Sequence, residues 1–242
     1  MNQILVTKKL YVTPELKKKK KRYKIQFMIS IFAIVVLFSY YIYAEYDRNK
    51  SEEVSQDILE NIREKQEDET IRKNERKVIV VALSEEEAQQ AEEQIVQPQS
   101  TVNMGEYTAD DGTNYTTESI LNIPSLGINY PVLSETSEEL LKISLNKFWG
   151  PAPNQIGNYC IVGHNYKNGK LFGNLSKIEI GAIIELTDST NTTIKYKVYD
   201  MYKVEPDDVA CTSQLTDGKR EVTLITCSNY GTQRLIVKAR EE

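Results

Sequence analysis

The sequence predicts a mostly β protein, a closed or nearly closed β-barrel with short peripheral helices, preceded by a transmembrane helix and a charged stalk. From about residue 119 onward, seven or eight short strand-like runs separated by turns occupy about 125 residues, a pattern typical of a barrel. Before that region, an uncharged apolar stretch separates a basic tail from an acidic segment. A domain of this size buries its own core, so we expect the barrel to fold without the anchor.

The N-terminal part of the chain predicts a membrane anchor. Residues 1–24 carry nine Lys or Arg against one acidic residue, and residues 25–43 carry no charge. As a helix the second range spans about 28 Å, enough to cross the hydrocarbon core of a bilayer. Tyr40, Tyr41 and Tyr43 stand at its end, where interfacial rings belong. Because basic residues stay on the cytoplasmic side, we expect a single-pass protein of the cell membrane, with a cytoplasmic N-terminus and an extracellular remainder.

Three other interpretations of these segments are weaker. A cleaved signal peptide has a shorter apolar core and a small-residue cleavage site, whereas this stretch ends in Tyr41-Ile42-Tyr43-Ala44. A buried core helix does not fit the flanking charges. The basic tail lies directly against the apolar stretch, so a membrane surface is the simpler partner, and we expect no nucleic acid partner.

A strongly charged stretch follows the anchor. Residues 44–97 contain sixteen Asp or Glu against eight Lys or Arg. Val54, Ile58 and Ile62 recur at helical spacing, but the apolar positions do not continue for the several heptads that a coiled coil needs. We therefore expect a solvated extracellular stalk, followed by a linker over residues 98–118, which are rich in Thr, Asn, Asp and Gly.

The C-terminal domain is expected over residues 119–242. Its pattern predicts one helix, at 138–148, and no internal repeat is present. Seven strand-like runs carry the barrel prediction: 120–123, 128–133, 158–162, 182–186, 193–204, 222–226 and 235–239.

Cys227 is the strongest indication of chemistry in this domain. It closes a strand-like run and precedes the turn-forming sequence Ser-Asn-Tyr-Gly, and a thiol at the end of a rigid strand is well placed to be a nucleophile. His164, the only histidine, ends another strand-like run and is the side chain that titrates near neutral pH. Arg234 begins the last predicted strand and supplies fixed positive charge for a developing oxyanion. Taken one at a time, each of these three residues also fits an ordinary structural role, as a buried thiol, a satisfied histidine or a surface charge. Together they predict cysteine acyl-transfer chemistry.

The other two cysteines, Cys160 and Cys211, are expected to be buried structural thiols. Cys160 and His164 share a face if their run stays extended, so a Cys160–Cys227 disulfide is a further hypothesis. The spacing of cysteine and histidine fits no zinc pattern and no loop fits an EF-hand. We expect neither a metal nor a cofactor.

These residues resemble the sortases, the membrane-anchored cysteine transpeptidases of Gram-positive bacteria. Thr223-Leu224-Ile225-Thr226-Cys227 fits the Thr-Leu-x-Thr-Cys motif of that family, and the run Gly157-Asn158-Tyr159-Cys160-Ile161-Val162-Gly163-His164 is similar to the strand that leads to its histidine. The stretches at 123–128 and 171–175 resemble further sortase segments. The resemblance covers about residues 119–240 and implies an eight-stranded sortase β-barrel.

The resemblance also implies a reaction. A sortase cleaves a C-terminal sorting signal similar to Leu-Pro-x-Thr-Gly after Thr, through a thioester on Cys227, and passes the protein to a cell-wall amine. His164 would protonate the departing amine, Arg234 would hold the oxyanion or the peptide, and Thr226 is a candidate for substrate contacts. The implied partners are surface proteins that bear a sorting signal, and a peptidoglycan precursor or another amine acceptor.

Subclass and rival functions follow from smaller features. No second span follows Glu242 and the linker shows no aromatic lid, which counts against a pilin-polymerising enzyme. The compact spacing between Cys227 and Arg234 favours a class D-like or housekeeping-like sortase. The Ser-x-Gly-Cys pattern of L,D-transpeptidases is absent, and in papain-like peptidases the cysteine precedes the histidine, whereas here His164 comes first. An alternative from a different class is a membrane-tethered extracellular binding or scaffold protein with an inactive sortase-like barrel.

Overall fold

The structure, a computed structural model, describes residues 13–81 and 104–242, with the backbone alone given for 69–81. The first half of the predicted basic tail, the end of the predicted stalk and the beginning of the predicted linker lie outside the described residues. The described part of the chain forms two compact units, one up to Asn49 and one from Lys50 onward.

The first helix, α1, runs over Pro14–Val81 and contains the apolar stretch. Within the described residues it is long and apolar enough to cross a membrane, by length and composition, with a mean hydropathy of 2.2 in its most apolar window. None of that window is buried within the protein. This feature is typical of a single-pass membrane anchor.

The C-terminal unit is a barrel built from nine strands and one short helix among residues 104–242. The helix, α2, runs over Glu138–Ile143. Short 3₁₀ turns lie at Pro124–Leu126, Leu175–Lys177, Ala210–Thr212 and Asn229–Gly231. The strands are β1 (Glu106–Thr108), β2 (Asn114–Ile123), β3 (Ile128–Leu133), β4 (Leu145–Trp149), β5 (Gly157–Val162), β6 (Ile183–Asp188), β7 (Thr193–Val204), β8 (Arg220–Ser228) and β9 (Gln233–Glu241).

Eight of these strands close on one another. Their order is β2-β3-β4-β5-β8-β9-β7-β6, and β6 pairs back to β2. β1 pairs only with the first part of β2 and stands outside the ring. Most neighbours are antiparallel, but β3–β4 and β5–β8 are parallel. The eight-stranded, mostly β barrel expected from the sequence is confirmed.

The predicted helix at 138–148 is too long. Ser137 caps α2 by accepting a hydrogen bond from the Leu140 N–H at 3.1 Å, and the helix ends where Ser144 becomes extended. The Ser144 hydroxyl donates to the carbonyl of Pro131 at 2.6 Å, which ties this residue to β3. Leu145 then pairs with Val132, so the rest of the predicted helix is β4. Strand pairing overrides local helix propensity here.

Alternation along the strands separates an inner from an outer face. Val222 and Leu224 of β8 point into the main core together with Leu235 and Val237 of β9. The residues between them lie on the outer face, where Ile225 belongs to a separate cluster. Because the side-chain period of a strand is two, every second residue of β8 and β9 is presented outside the barrel.

Part of α1 is packed against the barrel. The docking segment (residues 50–62 of α1) buries Ile58, Leu59 and Ile62 almost completely, with 0–2% of each exposed. Ile58 and Ile62 form one cluster with buried apolar residues of the first two strands, their connections and β3, namely Met104, Ala109, Tyr115 and Leu133. The spacing of these isoleucines on one helical face explains how they reach the same surface.

The ranges expected as stalk and linker are therefore locally more ordered than their composition indicates. The docking segment lies within the predicted stalk, while β1 and the beginning of β2 lie within the predicted linker. The division of the chain into a basic tail, an anchor, a stalk, a linker and a catalytic domain stays a prediction.

We expect Ile58→Ala to lower the free energy of unfolding of residues 50–242 by about 2 to 5 kcal/mol, because it empties a fully buried site at the helix–barrel contact. Urea unfolding followed by circular dichroism measures the change. Asp57→Ala, at an exposed position of the same helix turn, is the matched control. Equal stability of the two variants would contradict the docking of this segment.

Candidate active site

Two parallel strands end at the same edge of the barrel. The register of β5 and β8 pairs Val162 with Ile225, and the Gly163 N–H continues the ladder by donating to the Ile225 carbonyl at 3.2 Å. His164 follows directly after β5, and Cys227 is the residue two positions beyond Ile225. The pairing therefore places the imidazole and the thiol on neighbouring strand ends.

Arg234 is the cross-strand partner of Cys227. Cys227 on β8 and Arg234 on β9 face each other directly in the antiparallel register. Alternation puts both on the outer face of the barrel, because their neighbours Thr226 and Leu235 are buried. The Arg234 Nη1 donates to the carbonyls of Gly231, at 3.0 Å, and Gln233, at 3.2 Å, so the guanidinium is held over the turn.

The turn between these two residues is tight because of its backbone conformation. Asn229, Tyr230 and Gly231 all have positive φ angles, of 48°, 56° and 91°. Asn and Gly adopt this region most readily, so the sequence after Cys227 favours an immediate reversal. Tyr230 is carried at the tip and is 97% exposed.

The strand ends are also fastened to each other by side chains. The buried Thr226 hydroxyl donates to the Gly163 carbonyl at 2.7 Å. The Asn165 Nδ2 donates to the Cys227 carbonyl at 2.9 Å. These two hydrogen bonds therefore join the end of β5 to the end of β8, with one donor on each side. The bond of Thr226 indicates a structural role for its hydroxyl, while the substrate contact expected for this residue stays a prediction.

Gly163 is required by packing inside the barrel. A Cβ at this position would lie 2.5 Å from Leu145 Cδ2 and 2.9 Å from Phe172 Cδ2, and both neighbours are fully buried. A larger residue would therefore push the strand end that carries His164 outward.

His164 is half-buried, and its environment favours the neutral imidazole. Burial is the main cause of a lowered pKa, and the positive charge of Lys142 lowers it further, while Glu138 opposes both. Both charges lie on α2. The ring of Tyr166 packs against the imidazole, with 5.2 Å between centroids and a tilt of 41°.

The sequence did not single out several residues of this environment. Asn165 and Tyr166 lie next to the predicted histidine, but neither polar nor aromatic character alone marks a site residue. Glu138 is the first residue of the predicted helix and carries no other signal. The contact of Asn165 with Cys227 depends on the pairing of distant strands, which no local pattern records.

The remaining cysteines are buried, as expected, and lie together. Cys160 is fully buried and Cys211 is 5% exposed, in one cluster on the outer face with Ile225 and Ile236. Burial raises the pKa of the Cys160 thiol to about 12, which makes it a poor nucleophile.

The hypothesis of a Cys160–Cys227 disulfide is wrong. Cys160 pairs with Thr223, four residues before Cys227 on β8. Four extended residues span about 13 Å, whereas the Cα atoms of a disulfide lie within about 7 Å of each other. Cys227 is a free thiol of intermediate exposure.

Comparison with known proteins gives the site its family context. The family model of the Sortase domain matches residues 121–242, the half of the chain that contains the whole site. The chain belongs to the sortase family. Within the sortase barrel, the matched region begins in β2 and includes all of β3 to β9.

Individual sortases are similar over different lengths. Sortase A of Bacillus anthracis is 35% identical over 111 residues, which cover 44% of this chain and 50% of that protein, so the chain spans about half the length of this relative. A sortase D5 transpeptidase of Clostridium perfringens superposes with a TM-score of 0.53 at 23% identity, covering 78% of this chain and 99% of that one. That likeness concerns the fold alone. Sortase A from Corynebacterium diphtheriae is similar at 27% identity and a TM-score of 0.49, over 53% of this chain and 61% of that one.

The arrangement in this sortase has the parts that acyl transfer needs. Cys227 is an accessible thiol, His164 is a nearby group able to move a proton, and Arg234 is a permanent cation opposite the thiol. Within the residues that the structure describes, no group of three or more His, Cys, Asp or Glu is arranged to hold a metal ion.

We expect Lys142→Gln to raise the pKa of His164, because it removes a like charge, and Glu138→Gln to lower it, because it removes the opposing one. The chain has one histidine, so its imidazole NMR signal is assigned without ambiguity and reports the titration directly.

Glu139→Gln is the matched control for these two variants, because Glu139 lies on α2 but does not contribute to the shift at His164. Shifts of the same sign in Lys142→Gln and Glu138→Gln would contradict the electrostatic role assigned to α2. High salt should reduce both shifts, because the two charges are exposed.

Proposed function

We propose that this sortase is a cysteine transpeptidase that cleaves a sorting signal similar to Leu-Pro-x-Thr-Gly after Thr and transfers the protein to a cell-wall amine. The observation that carries the proposal is the register of β5, β8 and β9. It brings His164, Cys227 and Arg234 to one end of the barrel on its outer face. Membership of the sortase family supports the same reaction class.

The first half of the reaction forms a thioester. The Cys227 sulfur attacks the Thr carbonyl carbon while its proton passes to the neutral imidazole of His164, and the carbonyl oxygen becomes an oxyanion that Arg234 stabilises. When the tetrahedral intermediate collapses, the C–N bond breaks and His164 returns the proton to the departing amine. The lowered pKa of His164 suits this order, because the imidazole begins as a base at neutral pH.

The second half regenerates the enzyme. An incoming amine attacks the thioester carbonyl, His164 takes a proton from it, and Arg234 again stabilises the oxyanion. Collapse breaks the C–S bond, and the Cys227 sulfur leaves and recovers a proton from His164. A new amide bond then joins the surface protein to the acceptor, with no net oxidation and no cofactor.

A closed apolar cluster supports the surface beside Cys227, on which an extended peptide would lie. On the outer face, Ile225 and Ile236 are buried next to the site, and Val204 packs against them from β7. Backbone groups of a peptide lying here would run beside the Arg234 guanidinium, whose planar fork can donate to carbonyl oxygens.

We place this reaction outside the cell of a Gram-positive bacterium, with α1 as the membrane anchor and its N-terminal end in the cytoplasm. The basic residues before the apolar stretch favour this orientation. The partners are then surface proteins with C-terminal sorting signals, and a peptidoglycan precursor or another amine. The similarity to Sortase A of Bacillus anthracis favours a housekeeping-like subclass, with a class D-like enzyme as the other option.

We expect Cys227→Ala to abolish cleavage of sorting-signal peptides, because no other accessible thiol is described in residues 13–81 and 104–242. Mass spectrometry of the peptide products, with and without an amine acceptor, locates the cleavage after Thr and detects the transpeptidation product. Cys211→Ala, which removes a buried thiol of the same domain, is the matched control and should keep its activity.

Two outcomes of this experiment would contradict the proposal. Turnover by Cys227→Ala equal to that of the unchanged protein would refute the nucleophile. A complete absence of turnover and of acyl-enzyme across a broad peptide panel would favour the tethered binding or scaffold protein instead.

We expect Arg234→Lys to lower kcat/KM by about 100-fold or more, which corresponds to the loss of one oxyanion donor. A Lys ammonium keeps the charge but does not reproduce the planar fork opposite Cys227. Steady-state kinetics with the cleavable peptide measures the effect, with Arg220→Lys at the opposite end of β8 as the control. Near-native activity of Arg234→Lys would assign Arg234 to a dispensable surface role.

A further inference from the structure

A carboxylate of the docking segment is hydrogen-bonded to the barrel. The Tyr130 hydroxyl of β3 lies 2.9 Å from Glu52 Oε1 and 3.1 Å from Oε2. Tyr130 is only 7% exposed, and burial raises its pKa above the ordinary value, so the phenol keeps its proton and donates it to the carboxylate. A contact of this kind is not needed for apolar docking, which Ile58 and Ile62 already provide.

The same phenol lies beside the loop that follows His164. The backbone N–H of Leu171 is near enough to the Tyr130 oxygen to oppose the rise in the pKa of this phenol. Leu171 is buried and has a φ of 51°, a conformation that is uncommon for a residue other than glycine. Such a conformation persists only where the surroundings hold it, and Tyr130 supplies part of that support.

Leu171 closes the His164 loop on itself. It forms an isolated bridge with Asn165, and the next residue, Phe172, donates its N–H to the His164 carbonyl at 3.0 Å. Asn165 in turn donates to the Cys227 carbonyl at 2.9 Å. Hydrogen bonds and backbone pairing therefore join Leu171 to both His164 and Cys227, and the Tyr130 hydroxyl beside the Leu171 N–H is hydrogen-bonded to Glu52.

The docking segment reaches His164 by a second route. Leu140 and Ile143 of α2 pack against the cluster that contains Ile58 and Ile62. The Ser55 hydroxyl also donates to that of Ser144, the residue that ends α2, at 3.2 Å between two fully buried side chains. Because α2 carries the two charges that act on His164, the docking segment also supports the source of these charges.

We infer that Glu52, acting through Tyr130, is a positioning residue for His164, so that the docking segment of α1 is a working part of the catalytic unit. The inference rests on the proposed function for the reaction that is affected. Glu52 and Tyr130 do not touch the reacting atoms. They hold the His164 loop in the arrangement in which the imidazole and the thiol lie on neighbouring strand ends.

The test compares Glu52→Ala, Tyr130→Phe and the double variant in the full chain in detergent micelles. Single-turnover acylation by a peptide containing Leu-Pro-x-Thr-Gly should slow about tenfold in each single variant, within the range found for residues that act on a site indirectly. KM should stay unchanged. The double variant should be no slower than the slower single variant, because both changes remove the same contact.

Two further measurements separate positioning from general destabilisation. The NMR signal of His164 should move in both single variants, and the amide of Leu171 should exchange faster with solvent in Tyr130→Phe, which removes the phenol oxygen beside that N–H. Glu53→Ala removes the same chemical group at the exposed neighbouring position and should leave every measurement unchanged. Ile62→Val weakens the apolar docking without touching the hydrogen bonds, so it should lower stability but not the acylation rate.

The inference is overturned if both single variants acylate at the rate of the unchanged protein and give the same His164 signal. It is also overturned if the rate losses of the two single variants add in the double variant. If Tyr130→Phe does not fold, Glu52→Ala decides alone, because Glu52 is only half-buried. If the unchanged protein forms no acyl-enzyme with any peptide, the proposed function fails. In that case the inference is decided by comparing the single variants with the unchanged protein in two measurements, the rate of Cys227 alkylation by iodoacetamide and the NMR signal of His164. The inference stands if both measurements change and falls if neither does.

Discussion

The parallel pairing of β5 with β8 is the contact on which the candidate site depends, because parallel strands end at the same edge of a sheet. A hairpin cannot connect such a pair, so the chain between them must leave the edge and return. Here it returns by way of β6 and β7, which also close the barrel onto β2 and onto β9. The closed ring fixes the register of β5 and β8, and the register fixes which side chains meet. A slip of one residue would turn Cys227 into the core and Thr226 outward.

The same constraint explains why the two faces of β8 differ in chemistry. The inner residues, such as Leu224, are completely buried in the main core and provide rigidity. The outer residues toward the end of the strand become progressively more accessible, from the fully buried Thr223 to the half-exposed Cys227. The thiol is therefore held by a rigid scaffold and is still open to a peptide. Burial also keeps Cys160 unreactive, so the difference between the two thiols is one of environment.

The docking segment extends the support of the site beyond the barrel. Its apolar residues bury surface that β2 and β3 would otherwise expose, and its polar residues meet partners on β3 and after α2. An unpaired carboxylate or hydroxyl at such a contact would cost free energy, so the hydrogen bonds of Glu52 and Ser55 make the docking specific as well as favourable. The two connections that lead from this segment both end at the residues around His164.

Much of the fold could be predicted because strand patterns are local. Seven runs with period-two alternation correspond to β2, β3 and β5 to β9, and the barrel followed from their number and spacing. The end of α2 could not be predicted, because Leu145 leaves the helical path to pair with Val132, a residue of another strand. Ile58 and Ile62 showed their helical spacing, but the surface that covers them is assembled from segments far along the chain.

The sequence by itself determined the candidate residues: a single histidine, a cysteine after a strand and an arginine seven residues later, in an order that resembles the sortases. The tertiary structure alone decided how these groups are held. Asn165, Tyr130 and Glu52 are single polar residues with no recognisable spacing, and only strand register and helix docking bring them around one loop. The physical reason is that side-chain type and local periodicity are written along the chain, whereas the contacts that orient a site join residues whose separation in sequence carries no pattern.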